Sequence, residues 1–169
     1  MLLPEIISEF QRNKLTFENL LGELSNEIIR WRASAKRWCL LEIVCHLLDE
    51  EVEDFRARTK HALESPELPL KSINPVGWLQ ERNYLEQNFE ETLKKFLFER
   101  QVSIEWLKSL ENPNWENAIE NADLGKISAK SFLFNWLAHD YHHIRQINAI
   151  KRDYLKFTSG DDLAYAGNW

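Results

Sequence analysis

Proline and glycine are scarce in this chain and are concentrated in a few places, which leaves long segments without a residue that interrupts a helix. The 169 residues include five Pro and five Gly. Three of the prolines and one glycine lie within 66–77, and Pro113 and Gly125 bracket a second short segment. Because both residue types punctuate helices, this distribution predicts long helices, with two connections of about a dozen residues each.

Between these breakers, apolar residues recur every three or four positions, which is the spacing of one face of an α-helix. We therefore predict four amphipathic helices, the last with Ser128 as its N-cap. Their approximate bounds are 4–30, 38–64, 78–110 and 128–155.

Helices of this length must bury their apolar faces against one another. The predicted fold class is therefore all-α, a four-helix bundle that forms a single domain over residues 1–169. Because a connection of a dozen residues can cross the end of a bundle, the helix order need not be a simple up-down-up-down.

The composition excludes several classes of function. The net charge is −6 and the basic residues are spread along the chain, so we expect no nucleic-acid partner. No apolar run approaches the roughly 20 residues of a membrane span, and the N-terminus lacks the pattern of a secretory signal. We therefore expect no membrane association and a cytoplasmic location. Cys39 and Cys45 are about 9 Å apart on one predicted helix, too far for a disulfide, so Cys45 is expected as a reduced interior thiol.

Histidines on the apolar face of the last predicted helix point to a metal site. His139 and His143 are four residues apart, so their imidazoles lie one turn apart on the same side. His46 lies near the middle of the second predicted helix and can face them across the bundle. Three imidazoles from two helices would supply three ligands and leave further positions for water or substrate. His142 competes with His143, but it lies about 100° away from the apolar stripe, so we expect it to be exposed or at an oligomer surface.

The interpretation without a metal is that each of these histidines is satisfied by a hydrogen bond in the core. Carboxylates near His46 add a further choice. Glu50 lies one turn after His46 and is a candidate fourth ligand, general base or hydrogen-bond acceptor for an imidazole N–H. Against such a role, the acidic cluster 49–54 is typical of a solvated helix face. Tyr141 is a second candidate acid or base.

Two stretches of sequence carry a family pattern. The run that reads Trp38-Cys-Leu-Leu-Glu42-Ile-Val-Cys-His46-Leu resembles the W-S-x-x-E-I-x-x-H-L signature of the DinB-like (DinB/DfsB) metalloprotein superfamily. The run from His139 through His143 to Gln146-Ile resembles that superfamily's H-x-x-x-H-x-x-Q-I signature. One departure is Cys39, which replaces the usual Ser and is a poorer N-cap, although Glu42 stands where a capping-box partner would.

The resemblance implies a bundle of up-down-down-up order, a divalent metal on His46, His139 and His143, and a homodimer. Relatives with an assigned activity include S-transferases and isomerases that use low-molecular-weight thiols. We therefore expect a metal-dependent transferase in which zinc or nickel activates such a thiol for attack on a small-molecule substrate. Hydrolysis by an activated water is the nearest enzymatic alternative. A non-catalytic, stress-related binding or dimerisation module, with a metal that staples two helices, is the alternative from another class.

Overall fold

The computed structural model describes residues 2–121 and 125–167. Residues 122–124, within the second predicted connection, lie outside the described part. The α-helices are α1 Leu3–Leu21, α2 Asn26–Arg30, α3 Leu40–Asp49, α4 Arg56–Glu64, α5 Trp78–Glu81, α6 Phe89–Ser109 and α7 Ala129–Ser159. A π-helical turn, Glu50–Phe55, joins α3 to α4, so residues 40–64 form one continuous helical segment, the second helix of the bundle. A short hairpin pairs β1 Ala118–Asn121 with β2 Gly125–Ser128.

Two of the predicted helices are interrupted. The first, predicted over 4–30, ends at Leu21 because the chain turns through Glu23, which has φ of 54°. The third, predicted over 78–110, is broken at Asn83, which has φ of 48°. Left-handed backbone cannot be continued within a right-handed helix. The first break was marked in the sequence by Gly22, the C-cap that directly follows Leu21, whereas Asn83 is neither Gly nor Pro and gave no such signal.

The other two predicted helices form close to the expected bounds. In the second, the Glu42 carboxylate accepts a hydrogen bond from the Cys39 backbone N–H at 2.8 Å, so the capping-box partner acts although the Ser is replaced. In the fourth, the Ser128 hydroxyl oxygen accepts from the Ser131 N–H at 3.1 Å, as predicted for an N-cap. That helix continues to Ser159 and ends at Gly160 with φ of 70°.

The second and third bundle helices run parallel. Arg100 on α6 is bonded to Glu51, and Ser103, one turn further along α6, is bonded to Arg56. Residue numbers therefore rise together along both helices. The proline-containing connection 65–77 and the short helix that follows it carry the chain back to the starting end of the bundle.

The first and fourth helices are also parallel to each other. Asn13 on α1 donates to Asp140 on α7, and Lys151 on α7 donates to the Leu20 carbonyl, so residue numbers again rise together. The antiparallel relation between α1 and α6 appears where Phe17 packs edge-on against Phe96 and Lys14 bonds to Gln101.

The fourth helix is antiparallel to the second. His46 lies beside His139, whereas Glu51, later in the second helix, bonds to Trp136, earlier in the fourth. The helices are therefore arranged up-down-down-up, as the resemblance implied.

The core consists of three clusters of buried apolar residues. The largest fills the end of the bundle around α3 and α6. It contains both cysteines, which are free thiols, and burial raises the pKa of Cys45 to about 12. A second joins α1, α6 and α7 around Phe10 and Trp136. The third packs Ile119 against Ala62 and Phe132. Ile119 belongs to the hairpin, an element that was not predicted from the sequence. The hairpin therefore covers the end of the bundle where α4 stops and α7 begins.

The longest helix carries charged side chains along its length. Helix α7 has 31 residues, but charged side chains such as Lys130, Asp140 and Arg145 occur along it. Across residues 2–121 and 125–167, the structure contains no helix with the combination of length and apolar character needed to cross a bilayer.

Candidate metal centre

Three histidines from two antiparallel helices converge at one point inside the bundle. The Nε2 atom of His139 lies 3.3 Å from Nε2 of His46 and 3.0 Å from Nε2 of His143. One nitrogen from each of the three rings can be chosen so that all lie within 4.8 Å of one another. His46 and His143 are buried and His139 is partly buried. The structure thus brings together the three residues singled out in the sequence as metal ligands.

The separations suit a shared divalent ion. In a tetrahedral site with imidazole nitrogens about 2.0–2.1 Å from the ion, the nitrogens are about 3.3 Å apart. The two measured Nε2 to Nε2 distances, 3.3 and 3.0 Å, are close to that value.

The electrostatics also suit a metal, because ligand histidines must be neutral. Burial lowers the pKa of His46 to about 4, that of His143 to about 3 and that of His139 to about 2. The neighbouring imidazoles add to this effect, since protonating one ring disfavours protonating the next. Near neutral pH the site therefore presents three uncharged rings with lone pairs available.

Gln146 fixes the orientation of one of these rings. Its side-chain Oε1 lies 2.8 Å from Nδ1 of His143, so that Nδ1 donates and Nε2, which faces the other histidines, is left as the acceptor. Gln146 belongs to the sequence pattern of the last helix, but its role was not predicted. A spacing of three residues from a candidate ligand on the same helix is the signal that would have found it.

Aromatic rings enclose the other two imidazoles. Trp38 packs edge-on against His46, with ring centroids 4.9 Å apart. Phe55, from the π-helical turn, lies 4.9 Å from His139 and is stacked on Trp136. These contacts restrict the rotation of both rings, which keeps the nitrogens directed at the common point.

Glu50 lies behind His46, away from the point of convergence. Its Oε1 is 3.9 Å from Nδ1 of His46, and Nδ1 has no hydrogen-bond partner in the described part of the chain. Burial, and then the adjacent Asp54, raises the pKa of Glu50 to about 8. The geometry places Glu50 next to a ligand ring and on the opposite side from the converging nitrogens.

The expectation that the acidic cluster 49–54 is a solvated face is wrong for two of its members. Glu50 is 4% exposed and Glu51 is 1% exposed. The cause is the π-helical turn, which is wider than an α-helical turn and allows two consecutive side chains to face the interior. No residue pattern used in the sequence analysis distinguishes a π-helical turn from a regular helix.

Tyr141, the other candidate acid or base, is directed elsewhere. Its hydroxyl donates to Oε2 of Glu9 on α1 at 2.9 Å, and the side chain is 46% exposed. Two residues after His139 on the same helix, it lies on a different face from the ligands. The structure therefore does not bring Tyr141 to the three histidines.

A buried ionic cluster, missed in the sequence, lies directly beside the centre. Arg100 is 1% exposed and makes two hydrogen bonds to Glu51 and two to Asp140, at 2.5–2.9 Å. Asn13 and Trp136 donate to the same carboxylates. Asp140 directly follows His139, and Glu51 directly follows Glu50. The cluster thus joins all four bundle helices next to the histidines.

Removing one ligand ring should abolish metal binding. In His143→Ala, two imidazoles remain and the third coordination position opens into the bundle, so we expect bound metal to fall from about one equivalent per chain to below 0.2. Elemental analysis of purified protein, after dialysis against metal-free buffer, measures this ratio. His142→Ala is the matched control, because His142 is adjacent, exposed and of the same type, and it should retain full metal. Equal metal contents in the two variants would remove His143 from the site.

The lowered pKa values predict how the metal-free protein responds to acid. Below about pH 6.5 the histidines of the unfolded chain take up protons, whereas the buried rings do not until about pH 4 or lower. Three rings then make the unfolded state bind more protons, and they outweigh the one proton that Glu50, with its pKa raised to about 8, holds in the folded state. The melting temperature of chelator-treated protein should therefore fall as the pH is lowered from 7 to 5. In His139→Leu the decrease should be smaller, since one of the titrating groups is gone. Identical pH profiles for the two proteins would contradict these pKa shifts.

Comparison with known proteins agrees with the geometry. The family model described as the DinB superfamily matches residues 9–147. This span begins within α1 and ends within α7, and it includes all three histidines. A search of curated protein sequences finds no significant match.

A solved structure shares the fold. YfiT from Bacillus subtilis superimposes with a TM-score of 0.79 at 14% sequence identity, over 90% of this chain and 87% of the YfiT chain. YfiT is described as a probable metal-dependent hydrolase with an unusual four-helix bundle topology. At this identity the match establishes the shared fold, and the up-down-down-up order found here is such an unusual topology.

Proposed function

This chain belongs to the DinB superfamily, and we propose that it is a divalent-metal-dependent enzyme whose ion is held by His46, His139 and His143. The observation that carries the proposal is the convergence of three neutral imidazoles from two helices, two of them buried and that of His139 partly buried. Three protein ligands are typical of catalytic sites, whereas structural zinc sites usually have four. We infer zinc or nickel, since imidazole donors suit both ions.

Neutral imidazoles leave the 2+ charge of the ion uncompensated, so that the ion, when bound, lowers the pKa of a thiol or water ligand. The residues of the chain keep the site suited to this chemistry. The hydrogen bond from His143 to Gln146 holds one ring in the tautomer that a metal needs. Phe55 and Trp38 exclude water from the sides of the other two rings.

Glu50 is proposed as a positioning residue. It lies behind His46 and is buried, and in the metal-free chain burial raises its pKa to about 8. A carboxyl group next to Nδ1 of His46 can orient that ring from the side away from the ion. The 3.9 Å separation to Nδ1 leaves the Nε2 side of the ring to the ion.

The reaction we propose is thiol-dependent S-transfer. A low-molecular-weight thiol gives up its proton to solvent, and its sulfur forms a bond to an electrophilic carbon of the substrate. The bond from that carbon to the leaving group breaks, and the leaving group departs with the bonding electron pair. This proposal rests on the family resemblance of the two sequence patterns and on an ion site that can hold a thiolate at neutral pH.

A coupled assay tests the proposal. The zinc- or nickel-loaded protein is mixed with a panel of small thiols and a chromogenic aryl halide, and the rate of thioether formation is followed. We expect a metal-dependent rate that chelator removes and that His139→Ala lacks, while His142→Ala, adjacent but outside the ligand set, retains it. Equal rates with and without the ion for every thiol of the panel would contradict S-transfer.

Hydrolysis is the second candidate, and the description of YfiT as a probable metal-dependent hydrolase favours it. The same ion site would act on water instead of a thiol. Metal-dependent release of p-nitrophenol from an aryl ester without added thiol would favour hydrolysis. If neither reaction depends on the ion while the ion raises the melting temperature, the metal acts as a staple between helices.

A further inference from the structure

A basic cavity lies beside the three histidines, on the outer side of α7. Its volume is about 670 Å³, which is within the range of roughly 300–1,000 Å³ that is usual for small-molecule sites. Its wall is formed by polar side chains of α7 and by one residue of the loop before α3. These residues are Arg37, His142, Arg145, Gln146, Asn148, Ala149, Arg152 and Asp153.

The charge of this cavity is opposite to that of the protein. Three arginines and one carboxylate line it, so it carries two net positive charges within a chain of net charge −6. The carboxylate, Asp153, is already bonded to Arg152 at 3.0 Å. Arg37 and Arg145 are exposed, and among the residues that the structure describes neither forms an ion pair. Two guanidinium groups are therefore available to a ligand.

The cavity is joined to the metal centre by shared residues. Gln146 lines the cavity and also bonds to Nδ1 of His143 at 2.8 Å. The ring of His142, another lining residue, packs edge-on against His143 with centroids 5.0 Å apart. On the opposite wall, Arg37 directly precedes Trp38, which packs against His46. Two residues of the cavity lining, Gln146 and His142, thus contact the ring of His143 directly.

From this arrangement we propose that the cavity binds a carboxylate group of the substrate or thiol whose reactive atom reaches the three histidines. The inference deepens the proposed function and rests on it. Arginine is the residue best suited to such recognition, because its planar guanidinium can donate two parallel hydrogen bonds to a carboxylate. Arg37 and Arg145 are the proposed binding residues. An anchored carboxylate would hold the other end of a short molecule near the ion site.

The first test measures carboxylate binding itself. Succinate and its uncharged analogue succinamide are titrated into the full-length protein by calorimetry, both metal-loaded and chelator-treated, with inorganic phosphate as a third probe. We expect succinate to bind in both forms and succinamide not to bind. The double variant Arg37→Gln/Arg145→Gln should weaken succinate at least tenfold, since each lost charge-assisted hydrogen bond corresponds to about a factor of ten.

A charge-matched control separates a specific site from general attraction. Lys126→Gln/Lys130→Gln also removes two positive charges, from exposed positions in β2 and the first turn of α7. Lys130 is about 22 Å from Arg145 along the helix axis, and this control should change succinate affinity less than twofold. Circular dichroism checks that the double variant is folded, as expected for two exposed positions. Equal binding of succinate and succinamide, a double variant with unchanged affinity, or binding of phosphate without succinate would each overturn the proposal.

The second test links the cavity to the ion site. Cobalt-loaded protein is titrated with mercaptosuccinate and with 2-mercaptoethanol, and ligation of the thiol is read from the cobalt absorption spectrum. We expect mercaptosuccinate to bind at least tenfold more tightly, and the double variant to lose this preference while its affinity for 2-mercaptoethanol is unchanged. Equal affinities for the two thiols in the native protein would contradict the link between cavity and ion. If neither thiol changes the spectrum while succinate still binds, the S-transfer proposal fails and the carboxylate site stands.

Discussion

Replacing Arg100 by methionine is expected to lower the free energy of unfolding by about 3–5 kcal/mol. Arg100 is 1% exposed, and its two partners, Glu51 and Asp140, are 1% and 0% exposed. Without the guanidinium, two carboxylates stay buried with no positive charge to compensate them, and this is the main cause of the loss. Urea unfolding at neutral pH, followed by circular dichroism, measures it.

Two further variants test that explanation. Lys108→Met changes a half-exposed pair on the same helix and should cost less than about 1 kcal/mol. Adding Glu51→Gln and Asp140→Asn to Arg100→Met removes the uncompensated charges and should recover a substantial part of the lost stability. An Arg100→Met protein within about 1 kcal/mol of the native one would show that water reaches these carboxylates.

The buried cluster also explains how the metal centre is held. Glu51 comes from the π-helical turn of the second helix, Asp140 from the fourth helix, and Arg100 from the third. His46 and His139 lie on the two helices whose carboxylates Arg100 binds. The cluster therefore fixes the position of these two helices relative to each other along the bundle axis. The convergence of the imidazoles depends on that position.

Metal binding should raise the stability of the protein by an amount comparable to the loss in Arg100→Met. An ion that binds the folded arrangement and not the unfolded chain stabilises by about 2.7 kcal/mol at a free concentration 100 times its Kd, and by about 4.1 kcal/mol at 1,000 times. Thermal melts of the zinc-loaded and chelator-treated protein should therefore differ by several degrees.

The same melts on two variants show whether the effect arises at the three histidines. His139→Ala should melt at one temperature with and without zinc, because the two remaining ligands, His46 and His143, hold the ion weakly. His142→Ala, with its ring outside the convergence point, should keep the full shift. If the native protein melts at the same temperature with and without chelator, no ion occupies the site.

Much of this architecture could be predicted from the sequence, because it follows from periodicity. The apolar stripe that carries Trp136, His139 and His143 predicts both a buried helix face and imidazoles on one side of it. The apolar stripe of the second predicted helix placed His46 opposite them, and the family resemblance implied the up-down-down-up order. The Ser128 cap of α7 was predictable for the same reason, since a local rule decides it.

The features that escaped prediction depend on contacts between distant residues or on backbone conformation without a marker. In the sequence, Arg100 is one of several charged residues on an amphipathic helix, and nothing local indicates that it is buried. Its burial follows from the contacts with Glu51 and Asp140, which are distant in sequence. The break at Asn83 uses left-handed backbone at a residue other than glycine. The burial of Glu50 and Glu51 follows from a π-helical turn that local propensity does not distinguish from an α-helix.

The central claim is that three imidazoles from two helices hold one divalent ion and leave at least one position open. X-ray absorption at the zinc edge of the metal-loaded protein tests it most directly, since it reports the type and number of ligands. We expect three imidazole nitrogens and one or two further light atoms at about 2.0–2.2 Å. A spectrum with sulfur ligands from the protein, or with fewer than three imidazoles, would contradict the account.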